Sequence, residues 1–314
     1  MLGGSIVLLL AWTVAAFSFQ IHSVALRSIM IMMAVAMAIG IGTLGHRNLR
    51  NGLWSLLAAL ATVTAWWFLI EPKGDLQWAS DVAYNVTAEI GEDEVLVRNI
   101  RDFDWHSTDK ATPRWKNGVY SPEKITSVDL FTSVWGSPAI AHILVSFGFA
   151  DGRHLVFSAE TRKEAAEAYS SVGGFFKKFE LVLVAAEERD ILKLRTNYRQ
   201  EQVSIFPLRL SHDQAKHLFI SYLERGNALD RHPEFYNTLV SNCSTIVFQL
   251  ARLVDPGIPF DWRIVASGYL PSYLHDLGAI QTEAPLKEVL ENAVITERAQ
   301  ALPEGANYSK GIRN

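Results

Sequence analysis

The first 70 residues alternate between long uncharged stretches and short polar connections. The uncharged stretches are residues 2–19, 28–44 and 52–70, which are 18, 17 and 19 residues long. A helix needs about 20 predominantly apolar residues to span the hydrocarbon core of a bilayer, so each stretch predicts a transmembrane helix. We therefore expect a three-helix anchor at 1–70, an extramembrane domain at 71–302 and a loose C-terminal tail at 303–314.

Residues 71–302 carry shorter apolar patterns that predict both strands and helices. The predicted strands are 94–98, 139–149, 154–160, 179–185 and 203–208, and the predicted helices are 163–170, 211–226 and 243–254. Asp151-Gly152 separates two of these strands and is a hairpin turn signal. The pattern predicts one α+β domain with an antiparallel sheet.

The charges of the first 70 residues predict the orientation of the anchor. The connection at 45–51 carries Arg47 and Arg50, whereas the connection between the first two stretches carries only Arg27. Cytoplasmic connections are enriched in Lys and Arg, so the connection at 45–51 is expected inside. The domain that follows the third helix is then expected on the outer side of the membrane.

The charge balance of the chain argues against nucleic acid as a partner. Residues 1–70 hold three of the 29 basic residues and none of the 33 acidic ones, so residues 71–314 carry a net charge of −7. Binding to phosphates requires a basic surface. The aromatic content of 11% also excludes a disordered chain.

The chain has a single cysteine, Cys243, which lies in the domain expected outside the cytoplasm. A lone thiol there is either buried and inert or retained for its reactivity. Cys243 begins a predicted helix, with Asn242 or Ser241 as the N-cap residue. The positive end of the helix dipole favours the thiolate and lowers the pKa of a cysteine at this position.

A cysteine nucleophile needs a base, and His142 is the candidate because it lies alone in an apolar predicted strand. A structural histidine in the core is the alternative. Glu160 could orient the imidazole if the hairpin register allows it: a two-residue turn would pair His142 with Thr161, and one more loop residue would pair it with Arg162. Glu160 and Arg162 could instead form a structural ion pair.

Five motifs in these segments resemble the Lnb N-terminal periplasmic domain family over about residues 90–280. They are the strand and turn at 140–152, Ser-Ala-Glu-Thr-Arg at 158–162, Ala-Glu-Glu-Arg-Asp at 186–190, Pro-Glu-Phe-Tyr-Asn-Thr at 233–238 and Asn-Cys-Ser-Thr at 242–245. The family usually has Thr where this chain has Ser244. The order of His142 before Cys243 is also similar to permuted papain-like (NlpC/P60-like) enzymes, in which a strand histidine faces a cysteine at a helix N-terminus.

This resemblance implies lipoprotein N-acylation at a bacterial inner membrane, with the C-terminal domain in the periplasm. Cys243, His142 and Glu160 would be catalytic, and Asn242, Ser244, Tyr236 and Arg162 would bind substrate or the oxyanion. A membrane phospholipid would donate the acyl group and the N-terminus of a lipoprotein would accept it. No cofactor and no metal are expected.

Two other functions are compatible with the same residues. The Cys243–His142 pair could hydrolyse cell-envelope peptides, amides or lipids, although a soluble peptide substrate would not require three spanning helices. The chain could also be a non-catalytic envelope scaffold, which would leave the lone thiol without a purpose.

Overall fold

The computed structural model describes residues 2–313, and three helices come first. They are α1 (Leu2–Gln20), α2 (Val24–Arg47) and α3 (Leu49–Phe68). The connection expected at 45–51 is reduced to Asn48, because the helices on both sides extend into it. The Asn48 side chain accepts hydrogen bonds from the backbone N–H groups of Arg50 and Asn51 and so caps α3.

Two of these helices, α1 and α2, are long and apolar enough to cross a membrane. The third, α3, forms as predicted but is not among these two, and Arg50 and Asn51 lie in its first turn. The apolar side chains of α2 lie mostly on the outside of the protein; Met32 and Ile39, for example, are both 63% exposed. A core helix of a water-soluble protein would bury such side chains, so the arrangement favours membrane anchoring.

A mixed sheet dominates the remainder of the chain. Its strands are β1 (Thr87–Ile90), β2 (Val95–Arg101), β5 (Trp115–Tyr120), β6 (Ile125–Val134), β7 (Ala141–Phe149), β8 (His154–Arg162), β9 (Glu180–Ala186) and β10 (Gln202–Pro207), while β3 (Asp104–Trp105) and β4 (Ala111–Thr112) form a separate pair. The order is β1-β2-β9-β8-β7-β6-β10, with β5 also paired to β2. All pairs are antiparallel except β2 with β9, so the expected antiparallel sheet is confirmed apart from that pair.

The register of the β7–β8 hairpin differs from both alternatives considered for it. Gly148 pairs with His154 and Leu144 with Ser158, and the Phe149 N–H donates to the Arg153 carbonyl, so residues 150–152 form a three-residue loop. Gly152 takes a φ of +82° there, which glycine adopts without strain. This register brings Glu160 to the level and face of His142. Glu160 therefore does not require an Arg162 pairing to reach the histidine.

Helices cover both faces of the sheet. On one face, α5 (His212–Arg231) and α6 (Cys243–Val254) pack Phe219 and Ile246 against Phe147 and Phe157. On the other face, α4 (Glu188–Lys193) packs against Val156. Burial of apolar groups on both faces explains why β7 and β9 read as continuous apolar runs.

Two expectations about the remaining chain are wrong. Residues 163–170 form no helix, and the segment runs as turn and extended chain. The expected loose tail is packed: α10 (Tyr308–Gly311) follows α7 (Leu270–Asp276), α8 (Leu286–Asn292) and α9 (Thr296–Gln300), and Ile312 is fully buried. Arg313 binds the buried carboxylates of Asp129 on β6 and Glu188 on α4, and this contact fixes the end of the chain.

A buried ion pair fixes α4 to the sheet. Asp190 accepts hydrogen bonds from the Nε and Nη2 atoms of Arg101 at 2.9 and 3.1 Å, from the Phe103 N–H at 2.9 Å and from the Trp105 indole at 2.7 Å. The Arg101 and Asp190 side chains are 4% and 0% exposed. Such a pair is stable only because every oxygen has a donor.

Replacement of Asp190 by Asn should therefore destabilise the domain. Removal of one charge from a buried pair costs about 3–5 kcal/mol because the other charge is left uncompensated. Denaturant titration of the purified protein in detergent measures this free energy of unfolding. Glu89→Gln is the matched control, since Glu89 pairs with Arg98 on the surface and should cost less than about 1 kcal/mol. Equal, small losses for both variants would contradict the assigned role of Asp190.

Candidate active site

Cys243 is the first residue of α6, as the sequence predicts, and Asn242 is its N-cap. The Asn242 side chain accepts hydrogen bonds from the backbone N–H groups of Ser244 and Thr245, and the Thr245 hydroxyl accepts one from the Asn242 N–H. This reciprocal capping box fixes the first turn of the helix. The thiol is held at the positive end of the helix dipole.

The thiol lies where β7 and β8 separate. The ladder between these strands ends at the Leu144–Ser158 pair, so residues 141–143 of β7 have no partner on β8. Cys243 Sγ lies 4.0 Å from the Ala141 carbonyl oxygen, and the Ile143 N–H lowers the pKa of the thiol. The sulfur thus occupies the opening between the two strands.

His142 is held on one side by a serine and a carboxylate. Its Nε2 lies 2.6 Å from Ser158 Oγ and 3.1 Å from Glu160 Oε1. The Ser158 hydroxyl donates to Glu160 at 2.8 Å, so it can only accept from the histidine, and Nε2 carries a proton. Nδ1 is then the nitrogen left to exchange a proton with Cys243.

Arg195 completes this network, and nothing in the sequence singles it out as a site residue. It lies on the π-helical turn Leu194–Tyr198, directly after α4, and its Nη2 is 3.0 Å from Glu160 Oε1. The opposed charge holds Glu160 ionised in a site from which water is largely excluded. Ser158 lies in the Ser-Ala-Glu-Thr-Arg motif, but the sequence does not distinguish it from the polar residues that often occur on buried apolar strands.

The charges of these groups favour a thiolate–imidazolium pair. Burial raises the pKa of Cys243, but the charge and hydrogen bond of His142 outweigh it and leave that pKa below its usual value. Burial lowers the pKa of His142, and the charges of Glu160 and Cys243 overcome this and raise it to about 9. Burial opposes ionisation of Glu160, but His142 and Arg195 hold its pKa well below the usual value. A preformed ion pair of this kind is a nucleophile at neutral pH.

The charge of Cys243 acts on three tyrosines, Tyr169, Tyr222 and Tyr236. Tyr236, one of the predicted residues, is almost buried, and it shares a hydrogen bond with Tyr169. Burial raises the pKa of Tyr236, and the charge of Cys243 raises it further. The Tyr222 hydroxyl on α5 is buried and has no hydrogen-bond partner among residues 2–313. Its pKa is also raised by burial and then by the charge of Cys243, so the hydroxyl lies within the range of that charge.

Three other predicted residues have structural partners. The Ser244 amide and hydroxyl both bind the Asn242 side chain, so neither is free to bind an oxyanion. Asn242 itself is occupied as a cap and as a donor to the Thr238 carbonyl. Arg162 donates to the Val82 and Ala83 carbonyls and stacks over Trp78. The alternative of a structural Glu160–Arg162 ion pair is not found, because Glu160 pairs with Arg195 and Arg162 lies nearer Glu180.

Residues 111–268 match the family model of the Lnb N-terminal periplasmic domain. The chain belongs to this family. The matched range contains His142, Ser158, Glu160, Arg195 and Cys243, so the whole cluster lies inside the Lnb domain. No curated protein and no solved structure matches the chain.

The Lnb domain shows no metal-binding group to accompany this cluster. Within residues 2–313, no three His, Cys, Asp or Glu side chains are grouped so that they could hold a metal ion. The reactive groups of the cluster are a thiol, an imidazole and a carboxylate.

His142→Ala should raise the pKa of Cys243 in this Lnb-domain protein. The variant loses the charge that lowers that pKa, while burial, which raises it, remains. Each unit of rise reduces the thiolate fraction at pH 7 about tenfold. The rate of alkylation by iodoacetamide should fall accordingly, and its pH profile should move to higher pH.

Two further variants calibrate this measurement. Glu160→Gln should shift the profile in the same direction but less, because it weakens the imidazolium without removing it. His217→Ala, at an exposed position on α5, should leave the profile unchanged. An unaltered profile for His142→Ala would show that the thiolate does not depend on the histidine.

Proposed function

We propose that the protein is a membrane-anchored thiol acyltransferase that N-acylates bacterial lipoproteins. A phospholipid would donate the acyl group to Cys243, and the α-amine of a lipoprotein N-terminus would receive it. The observation that carries the proposal is the Cys243–His142–Glu160 cluster at the start of α6, in a chain of the Lnb family that also has two helices apolar enough to cross a membrane.

The first half-reaction would transfer the acyl group to the enzyme. The Cys243 thiolate attacks the carbonyl carbon of a phospholipid ester, and a tetrahedral oxyanion forms. The carbon–sulfur bond forms in this attack. When the oxyanion collapses, the bond between the carbonyl carbon and the glycerol oxygen breaks. The leaving alkoxide takes the Nδ1 proton of the His142 imidazolium, so a lysophospholipid departs and neutral His142 remains.

The second half-reaction would regenerate the ion pair. The neutral α-amine of the lipoprotein attacks the thioester carbon, and neutral His142 accepts the proton that the nitrogen loses. The carbon–nitrogen bond forms as the carbon–sulfur bond breaks, and thiolate and imidazolium return. Glu160, which Arg195 holds ionised, and the Ser158 hydroxyl stabilise the imidazolium that is present at the start and at the end of the cycle.

Two groups are suited to stabilise the oxyanion. The N–H of Cys243, at the first position of α6, has no partner in an earlier helical turn. The Tyr222 hydroxyl is buried and unpaired, and it lies within the electrostatic range of the thiolate. The Ser244 amide does not serve, because it is bound to the Asn242 side chain.

We infer that the domain has a permuted papain-like arrangement, since a strand histidine precedes and faces a cysteine at a helix N-terminus. We further propose that α3 spans the bilayer with α1 and α2, which sets the domain in the periplasm and the chain in the inner membrane. Support comes from Arg47 and Arg50 at the α2–α3 connection, which favour a cytoplasmic location for it.

Incubation of the purified protein with phospholipid should add one acyl group to Cys243. Intact-protein mass spectrometry detects the adduct, and hydroxylamine should remove it because it is a thioester. Cys243→Ala should show no adduct, and His142→Ala should show it only slowly. The Cys243→Ala/His142→Ala double variant should be no less active than Cys243→Ala alone, because the two residues act as a unit.

A diacylated lipopeptide with a free α-amine should accelerate loss of the thioester and gain an amide. The acceleration should rise with pH through the pKa of an α-amine, about 7.7–8.0, and acetylation of the amine should abolish it. If free fatty acid accumulates at the same rate with free, blocked or no lipopeptide, the enzyme is a hydrolase. The absence of any adduct would exclude both activities.

Tyr222→Phe should separate folding from oxyanion stabilisation. The removed hydroxyl has no partner, so the free energy of unfolding should stay the same or rise slightly. Loss of one oxyanion donor typically lowers kcat by about 10²–10³, and we expect thioester formation to slow in that range. Tyr273→Phe is the control, because its hydroxyl binds the Pro259 carbonyl away from Cys243. Unchanged thioester formation in Tyr222→Phe would leave the hydroxyl without a catalytic role.

A further inference from the structure

Large apolar side chains are exposed on several loops around Cys243. We define the apolar rim as Trp135, Ile140, Val172, Val240, Trp262 and Val265. These six side chains are between 40% and 66% exposed. Isolated exposed apolar residues are ordinary on protein surfaces, but a group gathered around one site marks an interaction surface.

Hydrogen bonds join these loops to one another and to the site. Gly268 N–H donates to the Ala139 carbonyl, and the Ser267 hydroxyl binds both the N–H and the carbonyl of Ala141. Ala141 is the residue whose carbonyl lies 4.0 Å from Cys243 Sγ. The loops that carry Ile140 and Val265 are therefore in direct contact beside the thiol.

The loop that carries Val240 is joined to the loop that carries Val172. The Thr238 hydroxyl donates to the Ser171 carbonyl at 2.8 Å, and the Asn242 side chain donates to the Thr238 carbonyl at 2.7 Å. Asn242 immediately precedes the nucleophile. The rim thus approaches Cys243 from two sides.

The loop at 171–177 also contacts the outer ends of the membrane helices. The Gln20 side chain at the end of α1 donates to the Phe176 and Lys177 carbonyls, and Lys177 Nζ donates to the Trp67 and Ile70 carbonyls at the end of α3. The Phe176 ring packs against Trp12 and Phe19. This side of the domain is therefore continuous with the level at which the helices leave the bilayer.

The segments that carry most of the rim lack charges that would favour water. Residues 130–141, 235–251 and 264–274 contain no Asp, Glu, Lys or Arg. Arg263, which follows Trp262, pairs with Asp261 at 2.9 Å and with Asp276 at 2.6 Å, so the charges beside Trp262 are held in ion pairs. Two of the six rim residues are tryptophans, which favour the boundary between lipid and water.

We propose that the apolar rim docks into the outer leaflet of the membrane that anchors the chain. The lipid surface is the occupant that fits an uncharged, tryptophan-bearing surface continuous with the ends of the membrane helices. Partial insertion, to a depth of about 5–10 Å as for other interfacial apolar surfaces, opens the Cys243 cleft directly towards lipid. A lipid could then reach the thiol without crossing water.

Site-directed fluorescence in the full-length protein tests this surface. Cys243→Ser removes the only native cysteine, and Trp262→Cys, Val240→Cys or Val265→Cys then each give one labelling position. Ala150→Cys is the control, because Ala150 is exposed in the β7–β8 loop, roughly 25 Å along β7 from His142. Each labelled protein is reconstituted in phosphatidylglycerol–phosphatidylethanolamine vesicles with the domain outward.

Nitroxide-labelled lipid should quench the three rim labels strongly, and aqueous iodide should quench them several-fold less than the Ala150 label. The Ala150 label should show the opposite pattern. Iodide quenching of the rim labels equal to that of Ala150 would overturn the proposal. Shielding from both quenchers would also overturn it, and would indicate a protein partner or a second copy. Because the Cys243→Ser background lacks the nucleophile, the result does not depend on the proposed acyl transfer.

Discussion

The site depends on one buried carboxylate. Glu160 binds Arg195, Ser158 and His142 at the same time, and each contact comes from a different part of the chain. An isolated buried carboxylate would become protonated. Arg195 keeps it charged, and Arg195 has its position because the Asp190–Arg101 pair fixes α4 to β2. The ionisation of Cys243 therefore depends on an ion pair on the opposite face of the sheet.

The separation of β7 from β8 is the second requirement. A continuous ladder would occupy the Ile143 N–H and close the space beside His142. Because the pairing stops at Leu144, that N–H is available to the sulfur, and a helix N-terminus can approach the strand end. The structure gives up a few ladder hydrogen bonds at this point, and the opening is where the thiol and the imidazole meet.

Periodicity and capping rules predicted much of this arrangement. The start and end of α6 at Cys243 and Val254 follow from an Asn cap and an Asp-Pro-Gly stop, and three apolar stretches give three helices. The sequence predicts the position of the hairpin but not its register. The loop length depends on which strand pairing buries the apolar residues on both faces of the sheet. The packed tail was missed because Arg313 finds its partners, Asp129 and Glu188, only after the sheet forms.

The first turn of α6 shows a different limit of prediction from sequence. Helix geometry predicts that the N–H groups of the first turn, including that of Cys243, have no partner in an earlier turn. It does not reveal that the Ser244 amide donates its hydrogen bond to the Asn242 side chain. Nothing in the sequence points to Arg195 or Tyr222 either. Each is distant in sequence from Cys243 and His142, and only the packing of the fold relates it to the site.

Lys177 binds the end of α3, and Gln20 at the end of α1 binds the backbone of Phe176 and Lys177. These contacts fix the distance of the site from the ends of the membrane helices. A domain tethered by a flexible linker would sample many distances from the lipid, whereas this one is fixed at the helix ends. The 19 residues of α1 span about 28 Å, close to the thickness of the hydrocarbon core. A thicker bilayer would draw the Cys243 cleft towards the headgroups and a thinner one would lift it away. Membrane thickness would then tune the access of lipid to Cys243.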